Sequence, residues 1–239
     1  MVTLSAEALP QSALSLVIVA YNEEEALPLT IAEALEVLTP LTQELELIIV
    51  DDGSLDQTWE VAERFARDEP RRVKSIRLPT NQGMGAALKV GYRAATHPWV
   101  SFLPGDGQIA AGELMQLFAL AAQADFVTSR YHNQSRSLYR AVLSHGLRLL
   151  TLLILGGKPE TEGVYLFRRR LLERLPLRSD SFLLNLEFPL RVKRAGLRFR
   201  VASIALRPRL AGESKATRDG RILHTLRELF ALRKQLRDR

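Results

Sequence analysis

The chain has 239 residues, enough for one large α/β domain, and 46 % of them are hydrophobic, enough for a substantial core. It contains no cysteine, which excludes disulfides and thiolate metal sites and fits a reducing compartment. The net charge of +6 conceals a split: residues 1–129 carry 8 Lys and Arg against 18 Asp and Glu, and residues 130–239 carry 25 against 9.

That asymmetry points the second half toward something anionic, such as a membrane surface, a phosphate-bearing substrate or nucleic acid. Nucleic acid is disfavoured, because no reading module is recognisable and few aromatics lie among the basic residues. A solvated basic surface is the plain alternative. The first eleven residues lack a basic segment followed by an apolar core, so no secretory signal is expected.

Leu14–Val19 is a near-continuous apolar run, the pattern of a strand buried on both faces. It ends in Ala20-Tyr21-Asn22-Glu23. A helix follows, with Leu27, Ile31, Leu35 and Leu38 at helical spacing; Pro28 is tolerable because it lies near the start. Leu45–Val50 is a second buried strand, ending in Asp51-Asp52-Gly53-Ser54. The next helix, capped by Ser54 or Asp56, turns Trp59, Ala62, Phe65 and Ala66 inward. Val73–Leu78 is a weaker third strand. Asn81-Gln82-Gly83-Met84-Gly85 opens a helix that runs to Ala95. A fourth strand, Trp99–Leu103, stops in Pro104-Gly105-Asp106-Gly107-Gln108. A helix over Glu113–Ala122 and a strand Asp125–Thr128 follow.

Repeated strand–helix alternation argues for a mostly parallel sheet with helices on both faces. In such sheets ligands bind at the carboxyl ends of the strands. Five turns, YNEE, DDGS, NQGMG, PGDGQ and SRY, fall on that edge and build one composite site. Asp106 either shapes its turn or stands ready for a metal or a phosphate.

Leu138–Leu155 is predicted as a helix with a very apolar end, LLTLLIL. Its apolar run is shorter than the ~20 residues of a bilayer span. It reads as a core helix or as one in the membrane interface, with Arg136, Arg140 and Arg148 toward headgroups. Gly163–Phe167 is a strand, followed by a surface or membrane-facing Arg168-Arg169-Arg170. A helix over Leu183–Ala195 ends at Gly196, and a last strand, Phe199–Leu206, runs into RPRLAGESK. The tail Ile222–Leu236 is an amphipathic helix carrying Leu223, Leu226, Phe230 and Leu232.

The ordered motifs VAYNEE, VDDGSLDQT, NQGMGAALKVGY, PGDGQ, SRY and RPRLAGESK, each after a predicted strand, resemble the family 2 glycosyltransferases of the GT-A fold. The chain is most similar to the branch that moves a sugar from a nucleotide onto a polyprenyl phosphate. The resemblance spans about Leu14 to Lys215. It implies one Rossmann-like α/β domain over residues 1–215, with a donor half at about 12–130, a basic acceptor half at about 131–215, and an appended helix at 216–239.

The resemblance assigns Ala20, Tyr21 and Glu23 to the first nucleotide-binding loop and Asp52 to the base, with a turn role as the alternative for Asp52. It assigns Asn81, Gly83, Gly85 and Gly105 to loops passing close to the nucleotide, where a missing Cβ permits close approach. Asp106 and Gln108 are the implied metal residues, for Mg²⁺ or Mn²⁺. Three positions depart from the pattern: Val19 for proline, Met84 for lysine, and Pro104 for the first aspartate of an Asp-X-Asp. One carboxylate suffices if the diphosphate supplies the remaining ligands. Arg130, Arg207, Arg209, Ser214 and Lys215 are implied to meet the acceptor phosphate, since arginine forks match phosphate oxygens.

The implied reaction is inverting transfer from a UDP- or GDP-linked sugar to a polyprenyl phosphate, at the cytoplasmic face of a membrane and without a transmembrane span. A phosphate acceptor needs no general base. A hydroxyl acceptor would need one, and Asp180 and Glu187 are the candidates, with helix-surface or capping roles as the alternative. Glu160 and Glu162 lie where the usual pattern is not matched. A non-catalytic nucleotide-sugar-binding protein, permitted by Pro104, is the third reading.

Overall fold

The computed structural model describes residues 13–42, 44–133, 163–211, 229–230 and 232–233. The predicted helix at 138–155, Glu160, Glu162, Ser214 and Lys215 lie outside them, as does most of 216–239. Seven strands form one sheet: β1 (Leu14–Ala20), β2 (Leu45–Asp51), β3 (Val73–Arg77), β4 (Trp99–Pro104), β5 (Phe126–Tyr131), β6 (Tyr165–Arg168) and β7 (Phe199–Ile204). Their order is β3-β2-β1-β4-β6-β5-β7.

β1 and β2 are buried at every position, which explains their unbroken apolar sequences. β1 pairs in parallel with β2 on one side and with β4 on the other, and β2 pairs in parallel with β3. β6 is antiparallel to both β4 and β5, while β5 and β7 are parallel. A mostly parallel sheet was expected; the reversed β6 was not. β4–β6 pairing ends at Ser101, so the missing N–H of Pro104 interrupts no ladder on that side.

The helices are α1 (Leu27–Leu38), α2 (Thr58–Asp68), α3 (Met84–Ala94), α4 (Leu114–Ala121), the single turn α5 (Leu171–Arg174) and α6 (Leu184–Arg194). α1 has Pro28 in its first turn, where a missing N–H costs nothing, and buries Leu27, Ile31, Ala34 and Leu38. Where β6 enters the sheet, Tyr92, Phe102, Phe126, Tyr165, Phe167 and Phe188 pack edge-on and stacked, with centroids 4.7–6.5 Å apart. The buried hydroxyls are paired: Tyr92 donates to Tyr165 at 3.0 Å, and Tyr165 to Asn185 at 3.2 Å. Leu229 and Leu232 are buried against Leu183 and Leu190, so this part of the tail packs on α6 and its preceding loop.

The strand order reverses beside β1: β2 and β3 lie to one side and β4 to the other. A crevice therefore opens past the carboxyl ends of β1 and β4, the topological switch point of this sheet. No helix among the described residues is long and apolar enough to cross a membrane.

Candidate active site

The crevice is a cleft lined by four turns and one arginine. Ala20, Tyr21 and Glu23 follow β1, and Asp52 follows β2. Asn81, Gly83 and Met84 open α3, Pro104, Gly105 and Asp106 end β4, and Arg209 closes the cleft from the segment after β7. Gly85, Gln108, Arg130, Arg207 and Glu187 are not among the lining residues.

The turns after β1 and β2 are joined to each other. Asn22 adopts φ 53° and accepts from the Leu55 amide at 2.7 Å, while its own amide donates to Ser54 Oγ at 2.9 Å. The Glu23 amide donates to Thr58 Oγ1 at 2.7 Å. Asp51 and Asp52 have separate tasks. Asp51 is buried, accepts from the Ser54 amide at 3.0 Å and pairs with Arg77 at 3.3 Å, so it fixes the turn. Asp52 accepts from the amides of Gln82 and Gly83 at 2.8 and 2.9 Å, so it fastens the NQG loop at the cleft wall. Burial raises the Asp52 pKa, against those two amide bonds, and the neighbouring Asp51 charge adds to the rise.

The glycines at the start of α3 also have a packing reason. A Cβ on Gly85 would lie 2.3 Å from the carbonyl oxygen of Ser181, and the Ala86 amide donates to the Asp180 carbonyl at 2.9 Å. The close approach is to the 180–181 backbone. Asp180 itself is 61 % exposed and pairs with Lys89 at 2.6 Å.

The turn after β4 is held from both sides. The Gly105 amide donates to the Val19 carbonyl at 2.8 Å, and Thr30 Oγ1 donates to the Gly105 carbonyl at 3.2 Å. Asp106 Oδ1 accepts from the Gln108 amide at 3.0 Å, the turn-shaping role. Above it lies the segment 207–210. The Arg207 amide donates to the Gln108 carbonyl at 2.9 Å, and the Leu210 amide to the Asp106 carbonyl at 3.3 Å. Gly107, at φ 67°, lies under the Leu210 side chain, which a Cβ would strike at 2.4 Å. Arg207 donates to the Gly107 carbonyl at 2.6 Å and to Glu33 at 2.5 Å. Arg207 thus bolts this segment to the turn and to α1. Glu33, which also accepts from the Ala111 amide at 3.1 Å, had no motif to reveal it.

Arg209 reaches into the cleft. It donates to Glu23, and its other terminal nitrogen lies 3.5 Å from Asp106 Oδ2. Its side chain is 17 % exposed. Arg130, by contrast, is an exposed residue of β5 in register with Ser203. The next residue, Tyr131, is the one that senses Asp106: burial pushes its phenol up to about 12, and the Asp106 charge adds to that. Strand alternation sends neighbouring side chains to opposite faces, so the SRY motif marked the right turn and Tyr131 went unread.

Glu187 is fully buried on α6. It accepts from the amides of Arg178 and Ser179 and from Arg191 Nε at 2.7 Å. These bonds hold the 178–179 loop to the helix.

Among the described residues, no group of three or more His, Cys, Asp or Glu side chains could hold a metal ion unaided. Asp106 is the carboxylate that ends β4 in the cleft, with Glu23 across from it. One hard carboxylate beside open space fits Mg²⁺ or Mn²⁺ carried in largely by substrate phosphates.

Residues 15–179 match the family model described as glycosyl transferase family 2. The chain is 33 % identical over 164 residues to an undecaprenyl-phosphate 4-deoxy-4-formamido-L-arabinose transferase of Photorhabdus laumondii, a match covering 67 % of this chain and 50 % of the relative. It is 34 % identical over 158 residues to a dolichyl-phosphate beta-glucosyltransferase of Trichomonas vaginalis, covering 60 % and 48 %. The chain therefore spans about half the length of these relatives. In fold it is similar to the glucosyl-3-phosphoglycerate synthase of Mycobacterium tuberculosis, solved with Mn²⁺, UDP and phosphoglyceric acid. The TM-score is 0.64 at 21 % identity, covering 94 % of this chain and 75 % of that one.

Proposed function

The chain belongs to glycosyl transferase family 2, and from that premise we propose that it moves a sugar from a UDP- or GDP-linked donor to a polyprenyl phosphate at a membrane surface. The named activities of the two sequence relatives support the lipid-phosphate acceptor. One observation on this chain carries the choice over a hydroxyl acceptor. Neither candidate base lines the cleft: Glu187 is buried under three hydrogen-bond donors, and Asp180 is paired with Lys89. A phosphate monoester, with a second pKa of about 6, is already anionic and attacks without a base.

In this reading Ala20, Tyr21, Asp52, Asn81 and Gly83 bind the nucleoside, and Gly105 lets the diphosphate pass close to the β4 turn. Asp106, beside Gln108, would hold Mg²⁺ or Mn²⁺ together with the diphosphate, and the ion would supply positive charge to the departing nucleoside diphosphate. Arg209 offers its guanidinium fork to the acceptor phosphate, and Arg130, exposed on β5 outside the cleft lining, carries no such role in this reading. Ser214 and Lys215 are assigned to the same phosphate by the motif alone, and Arg207 acts by holding residues 207–210 on the turn. A phosphate oxygen attacks the anomeric carbon as the bond to the diphosphate oxygen breaks, and the bonding pair leaves with the nucleotide. A single in-line displacement inverts the anomeric centre. A lipid acceptor calls for a membrane surface, and in this reading the chain works peripherally at the cytoplasmic face.

The test is transfer by the full chain with Mn²⁺ or Mg²⁺, a panel of UDP- and GDP-sugars, and either undecaprenyl phosphate or undecaprenol. Mass spectrometry should find a sugar on undecaprenyl phosphate alone. Product from undecaprenol alone would shift the assignment to a hydroxyl acceptor. Nucleotide binding with no product would mark a non-catalytic binder.

A further inference from the structure

The acidic turn at the end of β4 already has a cation. Arg209 bridges Glu23 and Asp106, and all three side chains are less than one-fifth exposed. All three also line the cleft. The Arg209 backbone has little freedom to follow a ligand. On its two flanks the Arg207 and Leu210 amides are tied to Gln108 and Asp106, and Leu210 sits on Gly107. What can move is the side chain, and its Nε is buried without a hydrogen-bond partner among the described residues. An unpaired buried donor is a group held short of its best arrangement.

A divalent ion on Asp106 and a guanidinium 3.5 Å from the same carboxylate are like charges competing for one counter-ion. They do not share it. With Pro104 in place of a second carboxylate on that turn, Asp106 has no neighbour there to which the ion can shift. Building on the donor site assigned above, we propose that Arg209 and the metal–nucleotide exchange at Asp106. In the donor-free protein Arg209 neutralises Asp106. The metal–diphosphate displaces it, and the released guanidinium becomes available to the acceptor phosphate. Binding is therefore ordered, donor before acceptor, and Arg209 is the residue that enforces the order.

The exchange makes two predictions that do not involve turnover. First, Mn²⁺ in the presence of saturating UDP or GDP, followed by electron paramagnetic resonance on the full chain, should bind Arg209→Gln about tenfold more tightly than wild type, the scale of an ordinary coupling between sites. Second, farnesyl phosphate should bind wild type about tenfold more tightly when Mn²⁺ and UDP or GDP are present. Arg209→Gln should lose that dependence, and Arg209→Lys should retain part of it. The second measurement on wild type stands alone if the variants fail to fold.

Farnesyl phosphate binding to wild type that ignores the nucleotide overturns the exchange. So does an unchanged Mn²⁺ affinity in a folded Arg209→Gln that still binds nucleotide; in both cases the donor site survives. If neither protein binds UDP, GDP or Mn²⁺, the donor assignment itself fails and the exchange falls with it.

Discussion

Glu187 and Arg191, one helical turn apart on α6, form an ion pair at 2.7 Å with side chains 0 % and 5 % exposed. The pair is completed by the Arg178 and Ser179 amides, so one carboxylate joins a helix to the loop that runs on to the 180–181 backbone beneath Gly85. Removing one partner of a buried pair costs about 3–5 kcal/mol, because the other charge stays buried. Glu187→Gln should therefore lower thermal stability by about that amount. A Glu187→Gln protein of unchanged stability and abolished turnover would restore Glu187 as a base.

Gly85→Ala sets two small effects against each other. Alanine favours a helix over glycine by up to about 1 kcal/mol. Here the new methyl would meet the Ser181 carbonyl oxygen at 2.3 Å, a backbone atom with no rotamer to escape into. Overpacking of this kind costs about 1–3 kcal/mol. The variant should melt below wild type, by urea or heat; a gain in stability would contradict the packing described here.

Asp52→Asn leaves one acceptor oxygen for two backbone amides, those of Gln82 and Gly83. The unpaired amide costs about 1–3 kcal/mol. Loosening of the NQG loop should weaken nucleotide binding along with stability. Unchanged nucleotide affinity would show that the loop is held by other contacts.

Acid should weaken the junction of β5 and β7. Hydrogen bonds from Arg198 hold the Asp125 carboxyl at about 2, against the effect of its burial, and Arg170 adds to the depression. An ordinary aspartate titrates near 3.9. The folded value lies below the unfolded one, so this stabilisation is complete above about pH 4 and lost as pH falls through 2. Both arginines are more than half exposed, so solvent screening keeps the contribution small. Asp125→Asn should be less stable at pH 7, with the gap to wild type narrowing between pH 4 and 2. A gap of constant size across that range would refute the pairing.

Much of the fold was legible because β1 and β2 are buried on both faces and spell it out in unbroken apolar runs, each stopped by a polar turn. The direction of β6 was not legible: a four-residue strand reads the same whether it runs with or against its neighbours. The turns that build the cleft were readable from their Gly, Asp and Asn content. Their mutual contacts were not, because Arg207 and Glu33 are 174 positions apart and Arg209 and Glu23 are 186 apart. The same distance in sequence hid the packing reason for Gly85 and the structural bonds of Glu187.

The most direct test of the cleft as a metal-assisted nucleoside diphosphate site is a thermal-shift screen of UDP, GDP and their sugars, with and without Mn²⁺, on wild type and Asp106→Asn. A ligand at a hundred times its Kd adds about 2.7 kcal/mol to the native state. One nucleotide class should raise the wild-type Tm when Mn²⁺ is present. Asp106→Asn should lose that shift while remaining folded, since asparagine can still accept from the Gln108 amide and Arg209 keeps its bond to Glu23. No shift with any nucleotide, or a metal-independent shift equal in both proteins, would contradict the account.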